Sequence, residues 1–353
     1  MKILFLEGDL SRPGGTERMT ARLSSALSAH HTVHIISLHR QNAALFYPLA
    51  NAVIHKTLPE QSTIGKIRAI RRYIRQNRVD TVINVDTGMG YIGICAAAGA
   101  GTNARVITWE HSNFYNNWDS RIFPHLRRFA AKHSDVMVVL TARDKQNYES
   151  GIKHCVPVHV IPNPAPETAG DVSYHTTSKT VLSAGILGKI KRFDRIPEIG
   201  KTVFARHPDW NWLICGDGPE RKKLEAAVRE AGLENNIRFV GAVQNMAEYY
   251  RNAAVYVLTS DMEGLPMVLL EAKAHRLPLV SFDINTGPSD IIRDGVNGYL
   301  VPPYETDTMA EKLCALIENA ELRKAFSDNA VMDMEKFKEE RIVETWEKLI
   351  NNL

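Results

Sequence analysis

The sequence has no apolar run long enough to cross a bilayer, no low-complexity tract and no tandem repeat, which excludes membrane-spanning, collagen-like and solenoid architectures. Cysteine is scarce. Cys95, Cys155, Cys215 and Cys314 are widely separated and fit neither metal-ligand nor disulfide spacing, so buried, reduced thiols in a cytosolic protein are expected. No export signal is expected: the apolar start Met1-Lys2-Ile3-Leu4-Phe5-Leu6 meets Glu7 and Asp9 early and reads as a first strand. No acidic cluster suggests a metal site, and no nucleic-acid-binding motif occurs.

What remains is an ordinary globular composition, 44% hydrophobic and 24% charged, over 353 residues. That length exceeds what one core normally fills, so two domains of similar size are expected. The net charge of +3 hides an asymmetry. Residues 1–165 hold 20 Lys and Arg against 11 Asp and Glu, while the remainder holds 23 against 29. A basic first half suits anionic lipid headgroups or a phosphorylated acceptor.

Short β-rich runs alternate with helical-period stretches: Lys2 to Leu6, Thr32 to Leu38, Thr81 to Val85, Arg105 to Thr108, Val136 to Leu140 and Val158 to Ile161. This alternation predicts a parallel sheet with crossover helices. It stops at Ile161-Pro162-Asn163-Pro164-Ala165-Pro166, where proline denies the backbone its donors, and resumes over Thr180–Ala184, Trp210–Cys215, Ile237–Val240, Val255–Leu258, Pro278–Phe282 and Gly298–Val301. The expected organisation is therefore a Rossmann-like domain over 1–165, a linker over 166–179 and a second Rossmann-like domain over 180–332. A last helical segment, 333–353, carries Met334, Phe337, Val343, Trp346 and Leu349 as an apolar side available to pack back on the first domain. Two doubly wound α/β domains put their ligand loops at carboxyl strand ends, where a central cleft between domains can form.

The most informative segment is Asp261-Met262-Glu263-Gly264-Leu265-Pro266-Met267-Val268-Leu269-Leu270-Glu271-Ala272, directly after the strand Val255–Leu258. Gly264, Leu265 and Pro266 lead from strand to helix, with Pro266 expected at the first helical position. An open helix start presents unpaired amides and a positive dipole end, which suits a diphosphate and the charge it gains on leaving. Glu263 beside it would accept from sugar hydroxyls, and Glu271, about two turns on, from ribose hydroxyls.

This segment resembles the retaining glycosyltransferases of family 4, which carry two glutamates in a Glu-Gly-hydrophobic-Pro setting. The resemblance implies the GT-B fold, a UDP-sugar donor, a lipid-linked or oligosaccharide acceptor in cell-surface polysaccharide synthesis, and no cofactor or metal. It assigns Glu263 to the donor sugar and Glu271 to the ribose. Asn285-Thr286-Gly287-Pro288 resembles members using UDP-linked galactose or N-acetylgalactosamine, while Asp294-Gly295 with Asn297-Gly298 also reads as a hairpin-like turn. Gly14 and Gly15, between the first strand and a helix, resemble the family's donor-diphosphate loop, and His111, at the end of the strand through Thr108, its donor-sugar histidine. Where similar enzymes read Gly-Arg-Leu and then Lys-Gly, this chain has Gly185-Ile186-Leu187 and Lys191-Arg192. Lys191 matches the lysine, Ile186 replaces the arginine, and Lys189 or Arg192 is left to restore the charge.

Two surface readings and two rival classes complete the expectations. The stretch Lys66 to Arg75 is an amphipathic helix with Ile67, Ile70 and Ile74 on one side. Its arginines, with Arg121, Arg127, Arg128 and Lys132, offer peripheral contact with an anionic membrane at the inner face of the cytoplasmic membrane. Gly88-Met89-Gly90-Tyr91-Ile92-Gly93 fits the dinucleotide fingerprint, with Glu110 near the ribose-binding distance, and so admits an NAD-dependent oxidoreductase. A sugar-nucleotide epimerase or an inactive nucleotide-sugar-binding subunit shares the same architecture.

Overall fold

A computed structural model describes residues 1–60, 62–166 and 172–353. The chain forms two compact units, one from residues 1–164 with 336–353 and the other from residues 165–335. The first unit holds seven parallel strands: β1 (Lys2–Glu7), β2 (Thr32–Ser37), β3 (Ile54–Thr57), β4 (Thr81–Val85), β5 (Arg105–Trp109), β6 (Val136–Val139) and β7 (Val158–Val160), in spatial order β3-β2-β1-β4-β5-β6-β7. The second holds six: β8 (Thr180–Ala184), β9 (Asn211–Cys215), β10 (Ile237–Gly241), β11 (Val255–Leu258), β12 (Leu279–Phe282) and β13 (Gly298–Val301), in order β10-β9-β8-β11-β12-β13.

The central strands are continuous apolar runs because helices cover both faces of each sheet. Ile3, Leu4, Phe5 and Leu6 of β1 are fully buried, as are Val255 and Tyr256 of β11. Neighbours β2 and β4 flank β1, and β9 and β11 flank β8, so the winding direction reverses at these two strands. Such reversals open a crevice at the carboxyl ends of the strands. Edge strand β3 follows no apolar run and alternates between exposed and half-buried residues, so the sequence pattern did not mark it.

Three local expectations need correction. β13 pairs in parallel with β12, so Asp294–Gly298 is a turn entering a parallel strand, closed by Gly295 N–H donating to Gly298 O at 2.9 Å, and not a hairpin. The last segment is a short turn, Met334–Phe337, followed by the helix Glu339–Asn351. That helix belongs to the first unit: Trp346 is fully buried edge-on against Trp109, with ring centres 5.1 Å apart, and Glu339 pairs with Arg22. Of the expected linker, 167–171 lie outside the described residues. The part after them is tied to the second unit by Tyr174 Oη donating to Ala254 O at 2.8 Å and Ser178 Oγ to Asn252 O at 2.6 Å. Cys215 and Cys314 are buried, whereas Cys95 and Cys155 are half-buried, and all four are free thiols. Among the described residues no helix is long and apolar enough to cross a membrane.

Candidate functional site

In the second unit the loops after β8, β9 and β11 are laid over one another. Gly185 N–H donates to Cys215 O at 2.9 Å and Leu187 N–H to Asp217 O at 3.0 Å. Gly216 has φ 140°, and a Cβ there would collide with Gly185 O; a Cβ on Gly218 would lie 2.6 Å from Leu187 O. Only glycine permits this approach. The run Gly216-Asp217-Gly218-Pro219 after a strand was the overlooked signal for it.

Those loops fix two short 3-10 turns, Lys189–Lys191 and Phe193–Arg195, joined by Arg192 in a left-handed conformation (φ 52°, ψ 39°). Glycine adopts that conformation without strain, and Arg192 stands where the resembling sequences have glycine. The turns are stitched to the loop after β11, since Asp261 N–H donates to Ile190 O at 2.9 Å and Thr259 Oγ1 to Lys191 O at 2.9 Å. This stitching delivers the Lys191 ammonium to within 2.6 Å of Glu263 Oε1, which also accepts from Ser260 Oγ at 2.7 Å. The pair is mostly buried, with Lys191 25% and Glu263 12% exposed.

Arg192, one of the two residues expected to restore the charge, is paired within these loops. Its guanidinium lies 2.6 Å from Asp261 Oδ2 and 2.9 Å from Asp194 Oδ1, and bonding to these carboxylates holds it above the ordinary arginine value. Arg192 in turn holds the Asp194 carboxyl below its usual range. Asp261 is shared with the buried Arg195, 2.7 Å away, which lies over the Phe282 and Tyr304 rings. Asp261, Arg195 and Ser260 are functional-site neighbours to which the sequence reading gave no role. Lys189 is exposed, has no ion-pair partner among the described residues, and lines with Gly188, Arg192 and Asp261 a cavity of about 350 Å³. Ile186 is 64% exposed.

The helix carrying Glu271 runs Met267–Ala274, so Pro266 is its cap and not its first residue. Leu269 is the first residue to donate back into the helix, to Pro266 O at 3.0 Å, which leaves the Met267 and Val268 amides at the open end. Gly287 (φ 101°) packs on this loop: a Cβ there would lie 2.5 Å from Pro266 Cδ and 2.9 Å from Gly264 O. Thr286 Oγ1 donates to Glu263 O. The Asn285–Pro288 motif thus clamps the Glu263–Pro266 loop. Leu265 is buried beneath it, and Glu271 accepts from Tyr250 Oη at 2.8 Å.

In the first unit Gly14 caps the helix Gly15–Leu27. The Glu17 carboxylate occupies the place a Gly14 Cβ would take, so the helix start carries the chain's own anion. Burial raises the Glu17 carboxyl.

After β5, Glu110 is fully buried and organises the loop bearing His111. It accepts from Tyr148 Oη at 2.6 Å, Ser112 Oγ at 2.6 Å, Thr87 Oγ1 at 3.0 Å and Ser112 N–H at 3.1 Å, with Arg127 Nε at 3.4 Å. Burial works to raise the Glu110 carboxyl, but the Arg127 charge and these bonds outweigh it and hold it below its usual value. Burial also lowers His111 to about 3, so its ring is neutral across the physiological range, and its Nε2 has no partner among the described residues.

These contacts correct two expectations. Arg127 is 1% exposed and neutralises Glu110, so it belongs to no surface patch. Nor do the fingerprint glycines form a phosphate loop: they lie inside or at the start of the helix Thr87–Ala98. A Cβ on Gly90 would lie 2.8 Å from Ala130 Cβ, and one on Gly93 would collide with Asn84. They serve helix packing, and Glu110 is enclosed too fully to bind a ribose.

The unit also contains a cavity of about 800 Å³ at the carboxyl ends of β1, β2 and β4, lined by Glu7, Arg12, Glu17, Arg40, Asp86 and Phe123 among others. Burial raises Glu7 to about 7, and burial with the nearby Glu110 charge raises Asp86 to about 6.

Comparison with known proteins adds independent findings. Residues 13–167 match the model of Glycosyltransferase Family 4, and residues 169–332 that of Glycosyl transferases group 1. The chain is 30% identical over 358 residues to the amylovoran biosynthesis glycosyltransferase AmsD of Erwinia amylovora, covering 99% of each. It is also 30% identical over 368 residues to a Campylobacter jejuni alpha-1,4-N-acetyl-D-galactosaminyltransferase acting on a diNAcBac-PP-undecaprenol glycan, covering 99% of this chain and 98% of the other. The crystal structure of HepE of Anabaena in complex with UDP aligns over the whole of both chains, with TM-score 0.82 and 16% identity.

Proposed function

Because the chain belongs to the family 4 glycosyltransferases and has their GT-B fold of two parallel-sheet α/β domains, we propose that it transfers a hexose or N-acetylhexosamine from a UDP-sugar to a lipid-linked or saccharide acceptor, with retention and without a metal. Polysaccharide assembly at the cell surface is the process this reading serves. The observation that carries it is the Lys191–Glu263 pair beside the open start of the helix Met267–Ala274. A cation and unpaired amides meet the charge of a departing diphosphate, and the carboxylate meets sugar hydroxyls. Lys191 would shift from Glu263 toward the leaving phosphate as negative charge develops there, with Lys189 as a second cation. Glu271 would hold the ribose through its carboxylate.

Residues of the first unit are proposed for the same reaction. Neutral His111 would donate from Nε2 to a sugar oxygen, since an uncharged imidazole with an unpartnered nitrogen is suited to that and not to pairing with phosphate. The Gly14 and Gly15 amides would take a phosphate oxygen once Glu17 moves aside. We further propose work at the inner face of the cytoplasmic membrane, with Arg68, Arg72 and Arg75 of the helix Thr63–Asn77 and exposed Ile64, Ile122 and Phe123 as the contacting side chains.

UDP release from a panel of UDP-sugars, with and without membrane lipid extract, tests the reading. Release with one donor, stimulated by lipid and lost in Glu263→Ala and Lys191→Ala, is expected; silence with every UDP donor would overturn the donor assignment.

A further inference from the structure

In the second unit a row of side chains runs outward from the core to the turn that carries Lys191. It starts at Phe282, the fully buried last residue of β12. The guanidinium of Arg195 lies over that ring, 5.2 Å from its centre, and 4.7 Å from the centre of the Tyr304 ring. Held by two aromatic rings and donating to Thr259 O at 3.2 Å, the Arg195 side chain is 8% exposed and is a fixed post. Asp261 Oδ1 lies 2.7 Å from this cation, and Asp261 Oδ2 lies 2.6 Å from Arg192, whose side chain is 32% exposed. Arg192 follows Lys191 directly in the chain.

Both ends of the row carry backbone strain. Arg192 has φ 52°, a left-handed conformation that glycine adopts freely and arginine only at a steric cost. Tyr304 has φ 72°, an outlier for an aromatic residue, and such outliers persist where the surroundings enforce them. Its ring is 66% exposed, and the cation it covers is Arg195. The backbone bonds inside the two turns are long, Lys191 N–H to Gly188 O at 3.2 Å and Arg195 N–H to Arg192 O at 3.1 Å. A lysine ammonium is a point charge on a flexible four-carbon stem, so its place depends on how firmly its backbone is held.

We propose that Asp261 is a positioning residue for the transfer reaction: by bridging Arg195 and Arg192 it ties the turn to the core and sets where the Lys191 ammonium stands beside Glu263. The proposal rests on the transferase reading above. Asp261 acts through Lys191 and on no reacting atom. Lys191 is paired with Glu263 before reaction and turns to the leaving phosphate as charge develops, so a misplaced Lys191 weakens the transition state more than it weakens donor binding.

The test sets Asp261→Asn, Lys191→Ala and the double variant beside wild type. Asparagine keeps the shape of the side chain and the backbone bond to Ile190 O, and removes the charge that joins the two arginines. In steady-state UDP release, Asp261→Asn should lower kcat about 10–100-fold and change donor KM by less than about threefold. In the Lys191→Ala background the same substitution should change kcat by less than about twofold, because its effect passes through the lysine. Hydrogen exchange of residues 188–195 should quicken in Asp261→Asn while β9 exchanges as in wild type. Equal exchange of 188–195 in both proteins, an unchanged kcat, or a loss of the same size with and without Lys191 overturns the proposal; the last is what general damage to the fold produces. UDP release by wild type from no donor strikes the transferase reading instead, and the exchange measurement still decides whether Asp261 holds the turn.

Discussion

The carboxyl of Glu7 makes the stability of the first unit depend on pH in a predictable direction. Burial at the end of β1 outweighs the bonds from Thr20 and Gly8 and moves it from 4.5 to about 7. The folded state therefore binds this proton more tightly than the unfolded chain does. The contribution of this group to stability is greatest below pH 4.5 and is lost as pH rises from there through 7, the reverse of a salt-bridged carboxylate. At about 1.4 kcal/mol per pKa unit, the full interval is worth on the order of 3 kcal/mol, of which roughly 2–3 kcal/mol falls between pH 5 and pH 8. Glu7→Gln removes this titration while keeping the shape, and the Thr20 hydroxyl can rotate to accept from the amide. At pH 5 the variant should match wild type to within about 1 kcal/mol, the scale of one neutral hydrogen bond. By pH 8 it should be the more stable. Urea unfolding followed by hydrogen exchange of peptides from β1 and β4 reads the first unit by itself. Identical pH slopes for both proteins would refute the claim that burial controls this group.

Other outcomes follow from contacts described above. Trp346→Ala removes a fully buried ring packed on Trp109 and should cost the first unit roughly 3–5 kcal/mol, seen as faster exchange in β5. Gly90→Val should destabilise by about 1–3 kcal/mol through contact with Ala130, with no binding of NAD by either protein in fluorescence titration. Lys191→Ala should lower kcat roughly 10²–10³-fold, as loss of a charge-stabilising donor does, in steady-state UDP-release kinetics. Gly287→Ala forces a side chain into a left-handed backbone against Pro266 and should depress kcat while leaving the exchange of β9 as in wild type.

Much of this was legible in the residues. Strands β4, β8, β11 and β13 begin and end where apolar β-rich runs do, because buried parallel strands write themselves as continuous hydrophobic segments. β3 escaped notice because an edge strand needs no buried face, and His55 and Lys56 give it none of that pattern. Gly88, Gly90 and Gly93 resembled a phosphate loop because glycine is selected by close approach of any kind, here of a neighbouring helix at Gly88 and Gly90 and of the strand residue Asn84 at Gly93. Arg127 was assigned to a basic surface because local spacing carries no word of Glu110, the partner that draws it inside. The Lys191–Glu263 contact spans 72 positions; the sequence could name both residues but not their pairing.

The return of the helix Glu339–Asn351 to the first unit bears on synthesis. Residues 165–335 form an insertion within the other unit, so translation delivers all of the second unit before the last helix of the first. Until residue 346 has left the ribosome, the face of the first unit that receives Trp346, with Trp109, Met19 and Leu23 upon it, has no cover. The nascent first unit, whose strands are all made by residue 160, is expected to present this apolar surface to a chaperone while the second unit is still being synthesised. A stop codon just before residue 339 would leave the proposed catalytic loops intact and still yield a protein prone to aggregate.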